Sequence, residues 1–145
     1  HAINFSGAIL SGCTFIDCDL EQAAFGGTIL RDVAFRDCRL AYSTFDSATL
    51  RQGVIFDDCN LHGSNLDFIE SDHPDFTGSN LWGVKVSLGC QFWNGKFDDD
   101  QVRLFLAMNA RMVQGEVFKE QVAGLAGEEA MKLICRMMDE KGGPR

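Results

Sequence analysis

Two ladders of reactive side chains recur at a spacing of 20 or 21 residues. Cys18, Cys38 and Cys59 form one, with Ser79 next in line. Asp17, Asp37 and Asp58 form the other, each one residue before a cysteine. Thiols could hold zinc or exchange disulfides, but a tetrahedral zinc site needs four converging ligands and a straight ladder does not converge. The thiols are therefore read as small, buried, reduced core residues, which places the chain in a reducing compartment. Carboxylates stacked at strand spacing repel one another. They are read as caps on turn amides, with a Ca²⁺ along the stripe or a basic partner as alternatives. Asp19, Glu21 and Asp57 thicken that stripe. The three histidines, His1, His62 and His73, carry no metal-ligand spacing, and no nucleophile elbow, phosphate loop or dinucleotide fingerprint occurs. Neither an enzyme nor a bound cofactor or metal is expected.

The elements that position these ladders follow a period of five. Phe5, Leu10, Phe15, Leu20, Phe25, Leu30, Phe35, Leu40, Phe45 and Leu50 alternate strictly. One residue is inserted near Arg51–Val54, and the series resumes at Phe56, Leu61, Leu66, Phe76, Leu81 and Val86, skipping at Ser71. Two residues before each large apolar residue stands a small or β-branched one. A helix wants period 3.6 and a strand period 2. A period of five with two inward residues fits a very short strand followed by a corner, and four such sides close a square coil. The unit FIDCDL (15–20) recurs as FRDCRL (35–40) and FDDCNL (56–61), so like residues stack coil on coil. Phe68–Pro74 is expected to bulge, because Ser71 stands where a large apolar residue should point inward.

The triplets CDL (18–20), CNL (59–61), SNL (64–66), PDF (74–76) and SNL (79–81) resemble the first positions of the pentapeptide-repeat consensus. The resemblance covers about Ile3 to Val86. It implies an all-β solenoid, a right-handed quadrilateral β-helix of about 4–5 coils. Ile9, Ile29 and Ile55 depart from it, standing where the family prefers Asp or Asn. The resemblance also implies a protein partner. Quinolone-resistance members of the family are acidic, mimic duplex DNA and bind DNA gyrase.

The period ends after Phe92, so residues 1–92 are expected to be the β-helix and 93–145 a C-terminal α-helical cap or interaction segment. Asp98–Asp100 would open a helix, because acids suit the positive end of the dipole. Met137 and Met138 lie on a later Met-rich helix that could meet a partner. Cys135 falls in that segment and Cys90 just before it. A repeat stack needs its ends covered. A homodimer through the C-terminal helices or the uncapped N-terminal end is therefore a further expectation.

Composition bounds the partners. The 145 residues carry 13 Lys+Arg and 21 Asp+Glu, a formal charge of −8. That excess opposes direct binding to nucleic acid and to anionic membranes. No apolar run approaches a membrane span, and a cytoplasmic location is expected. Candidate protein-binding residues are the Ile9 and Ile29 stripe edged by Arg31 and Arg51, the Asp17, Asp37 and Asp58 ladder, and Trp82, which shares an outer column with His62. About 4.5 coils at ~4.8 Å give a rod of roughly 20 Å, the length of about six base pairs. Residues 1–97 carry 12 acids against 6 bases. DNA mimicry therefore ranks below a general protein-interaction module, with a structural or effector domain of a larger protein as a third reading.

Overall fold

The computed structural model describes residues 2–85, the backbone of 91–93, and residues 96–98. These residues form a parallel β-solenoid with four walls. Eight three-residue strands occur: β1 (Ile9–Ser11), β2 (Thr14–Ile16), β3 (Ile29–Arg31), β4 (Ala34–Arg36), β5 (Thr49–Arg51), β6 (Ile55–Asp57), β7 (Glu70–Asp72) and β8 (Gln91–Trp93). One wall is the sheet β1-β3-β5-β7-β8 and the next is β2-β4-β6. The other two walls are ladders of single parallel bridges. Asp19, Arg39, Asn60 and Asn80 make one, and Asn4, Ala24, Thr44, Asn65 and Lys85 make the other. No helix occurs among the described residues.

Corner chemistry explains why two walls are strands and two are only bridges. On the bridge walls the small inward residue donates its N–H back to the large inward residue three before it. Ala23 to Leu20 (3.0 Å), Ser43 to Leu40 (3.1 Å) and Ala48 to Phe45 (3.0 Å) are examples. The second of the two residues between is left-handed, with φ of 61° at Gln22, 58° at Tyr42 and 59° at Ser47. This is the type II turn pattern, which requires positive φ at its third residue. The residue before the large apolar one completes the corner. Asn4, Asp19, Asn60, Asn65 and Asn80 each accept the amide two residues on. The Asp/Asn of the repeat makes this corner on the bridge walls, and Asp75, in register with Ile55, makes it once on the second strand wall by accepting the Thr77 amide at 3.0 Å. Ile9, Ile29 and Ile55 lie on the strand walls, where a β-branched residue suits the pleat.

The inside is a column of rings. Phe15, Phe35, Phe56 and Phe76 stack at centroid spacings of 5.0, 5.0 and 4.8 Å, nearly parallel. Phe5, Phe25 and Phe45 stack likewise at 5.0 and 4.8 Å. The two columns meet edge to face, Phe25 against Phe35 at 5.6 Å and 89°, an arrangement favoured by the ring quadrupoles. Phe25, Phe35, Phe45, Phe56 and Phe76 are fully buried, whereas Phe5, Leu10 and Phe15 in the first coil are only partly so.

Two sequence expectations change in detail. The bulge expected at Phe68–Pro74 is absent. Glu70 and Ser71 pair in register with Thr49 and Leu50, and Ser71 points inward, 1% exposed. The irregular corner lies at the inserted residue instead, where Gln52 and Gly53 are both left-handed (φ 59° and 75°). The five-residue spacing also runs one step past Phe92. Phe97 is buried and stacks on Phe76 at 5.2 Å, and Lys96 bridges Asp75. The C-terminal helices, with Met137 and Met138, and both Cys90 and Cys135 lie outside the described residues.

Candidate functional site

The outer columns carry the candidate residues. On the first strand wall the register aligns Ile9 with Ile29 and then Thr49, and Ser11 with Arg31 and then Arg51. Ile9 is 70% exposed and Ile29 half-buried. Arg51 approaches Glu70 at 3.7 Å. Arg31 is exposed and makes no ion pair among the described residues. The wall thus carries a short apolar stripe edged by two guanidinium groups.

Asp17, Asp37 and Asp58 lie one above another at the corner that leaves the second strand wall. All three are left-handed, with φ of 53°, 52° and 55°, which aspartate tolerates better than most residues. Their carboxylates do not cap the corner amides, as the sequence reading expected. The Asx residues on the bridge walls do that work. Asp37 is raised above the ordinary carboxylate range, first by desolvation and then by the charges of Asp17, Asp58 and Asp57. The neighbouring acids are partly neutralised. Arg36 binds Asp57 at 2.8 Å, and Arg39 binds Glu21 at 2.8 Å with Asp19 at 3.9 Å.

The cysteine ladder points inward. The Cys38 thiol donates to the carbonyls of Phe15 and Arg36, both at 3.3 Å. Cys59 donates to Phe35 at 3.2 Å and Asp57 at 3.4 Å. Ser79 continues the column, its hydroxyl 2.7 Å from the Phe56 carbonyl. Burial pushes the Cys59 thiol up to about 12 and raises Cys38 as well. Such thiols are poor nucleophiles and poor metal ligands. Cys13, Cys18, Cys38 and Cys59 are free.

Trp82 is 55% exposed and sits one coil beyond His62, the Gly63 amide bonding to its carbonyl at 2.9 Å. The sequence reading paired these two and missed their neighbour Tyr42. Its ring is 57% exposed and meets His62 edge to face at 5.3 Å. A signal was available. The left-handed corner column reads Gln22, Tyr42, Gly63, Gly83, and a bulky ring is out of place in it. Ile16, 58% exposed on β2, was missed too. A polar cleft of about 270 Å³ lies beside Ala2, Asp19, Glu21 and Gln22.

The family model for the pentapeptide repeat region matches residues 1–66. This stretch is a pentapeptide-repeat region. No curated protein matches the chain. Among solved structures it is similar to a trypsin-treated variant of QnrB1, a plasmid-mediated fluoroquinolone resistance protein. The two are 15% identical over 66% of this chain and 68% of that one, with a TM-score of 0.32. It is also similar to the pentapeptide repeat protein Rfr23 from the cyanobacterium Cyanothece 51142. Identity there is 19%, over 67% of this chain and 61% of that one, with a TM-score of 0.34. No helix among the described residues is long and apolar enough to cross a membrane.

Proposed function

We propose that this pentapeptide-repeat chain is a non-enzymatic module that binds another protein through its first strand wall. The observation that carries the reading is the register of that wall, which sets exposed Ile9 against Ile29 and unpaired Arg31 against Arg51. Short parallel strands stacked on a close-packed core hold these side chains at fixed spacing, so little order has to be gained on binding. We take the coil to be right-handed, as parallel crossovers nearly always are, and to make about 4–5 turns. A homodimer, through the C-terminal segment that holds Met137 and Met138 or through the N-terminal coil, is part of the same proposal.

The test is affinity capture with mass-spectrometric readout, comparing the wild type with Ile9→Asp/Ile29→Asp. Loss of a specific partner in a variant that melts like the wild type supports the wall as the binding surface. An unchanged partner set overturns it.

A second reading rests on the Asp17, Asp37 and Asp58 column, where desolvation first and then the charges of its neighbours raise Asp37. In it the acidic corner imitates a phosphate row and the partner is DNA gyrase. Inhibition or protection in a supercoiling assay at micromolar protein, lost in Asp37→Asn/Asp58→Asn, supports that reading. No effect removes it.

A further inference from the structure

In its first three coils the first strand wall turns Leu10, Leu30 and Leu50 towards the core. Ile9, Ser11, Ile29, Arg31, Thr49 and Arg51 point the other way. None of these six is acidic. The register stacks Arg31 on Arg51, one coil apart at a strand spacing of ~4.8 Å. Two cations thus share one column of a chain whose formal charge is −8.

The positive charge of this column is not spent within the fold. Arg36 binds Asp57 and Arg39 binds Glu21, each at 2.8 Å, on other walls. Arg51 reaches Glu70 only at 3.7 Å, and Arg31 has no ion pair among the described residues. Asp32, next in the chain, forms the corner with φ 51° and does not pair with it. Asp46 stands at the opposite corner, beyond the isoleucines, its carboxylate over Gly26. Acids enter the face of the wall only with Glu70 and Asp72 on β7. Stacked guanidinium groups repel one another. Carboxylates of a partner would relieve that repulsion and pair with the planar forks.

The shape of the wall suits a helix. Three strand residues make it ~10 Å wide, close to the ~10–12 Å diameter of an α-helix with its side chains. A helix lying along the coil axis repeats every ~5.4 Å, against ~4.8 Å for the coils, so turn and coil stay nearly in step over three coils. Helix residues three and four apart then fall in one column. We propose that this wall takes an amphipathic helix of a partner protein, with an apolar column resting on Ile9 and Ile29 and an acidic column pairing with Arg31 and Arg51. This names the partner of the surface proposed above and rests on that reading. A nucleic-acid strand would also meet the two guanidinium groups. It would bring no apolar column to the isoleucines, and its remaining phosphates would face a chain that is negative overall.

The experiment uses the full chain and three fluorescein-labelled 18-residue helical peptides, read by fluorescence polarisation. The peptides share one leucine stripe and carry Glu, Gln or Lys in the column beside it. The Glu peptide is expected to bind about fivefold more tightly than the Gln peptide, as two exposed ion pairs allow. The Lys peptide, which the net charge of the chain favours, is expected to bind weakest. Arg31→Glu/Arg51→Glu reverses the order of the Glu and Lys peptides. Both side chains reach solvent, so that variant keeps its melting temperature within a few degrees. Arg36→Gln/Arg39→Gln, on other walls, leaves the order as it is. Four outcomes overturn the proposal: no binding of the Glu peptide at millimolar concentration, equal binding of the Gln peptide, an unreversed order in the charge-swapped variant, or tighter binding of a single-stranded DNA dodecamer. If no peptide binds while Ile9→Asp/Ile29→Asp still loses its captured partner, the wall stands as a binding surface and the acidic helix alone falls.

Discussion

Asp37 stands between Asp17 and Asp58, and all three hold left-handed corners that asparagine or glycine would fill as readily. Desolvation and its acidic neighbours raise its carboxyl above the ordinary range. The folded chain therefore binds this proton more readily than the unfolded chain. Asp37 lowers stability most at neutral pH, and stability rises as pH falls through its folded value. Asp37→Asn is expected to raise the melting temperature at pH 7, and the gap from wild type should narrow towards pH 3. A gap that stays constant in pH would mean the ladder is electrostatically silent. Ser43 and Ser64 make a different prediction. Both hydroxyls are buried without a partner, whereas the Thr28 hydroxyl in the same kind of position bonds the Phe25 carbonyl at 2.7 Å. Ser64→Ala removes an unsatisfied donor and is expected to stabilise by about 1 kcal/mol in urea unfolding. A loss of stability would show that the hydroxyl finds a partner in solution.

Each element is three residues of strand and a corner, so corners decide how coils stay aligned. The corners after Leu10 and Leu30 turn with a single left-handed residue, Gly12 and Asp32, while the one after Leu50 uses two, Gln52 and Gly53. Beyond it the register recovers, Phe56 lying on Phe35. Gly53 is thus a surplus residue in its coil. Deleting it is expected to leave the fold and shift the melting temperature by only a few degrees. Collapse of the near-native circular dichroism on deletion would show instead that the wide corner is required. The period of five displayed the walls, the Phe and Leu columns and the site of this insertion. It misjudged Ser71, because inward position was equated with bulk, and the pairing of β7 on both sides holds the serine in place whatever its size. Tyr42 leaves no mark in the inward series, because its left-handed backbone belongs to the corner series. The amide caps were assigned to Asp17, Asp37 and Asp58 on residue type alone. Which corner bonds back on itself depends on the wall, and that is a property of the coil.

At the scale of the whole molecule, the walls are outer faces of one apolar column. Their separate surfaces, an apolar stripe with arginines, an acidic corner and the exposed Tyr42 and Trp82 rings, exist only because that column keeps coil on coil. The ladder spacing, the exposure of Ile9 and the placing of Tyr42 over Gly63 all depend on it. The most direct test is a nuclear Overhauser experiment on protein with ring-labelled phenylalanine, assigned by single substitution. Phe35 should show contacts to both Phe15 and Phe56, whose ring centroids lie 5.0 Å from it, and weaker edge contacts to Phe25 and Phe45. Absence of the contacts to Phe15 and Phe56, in a chain that is otherwise folded, would contradict the stacked column and every outer surface derived from it.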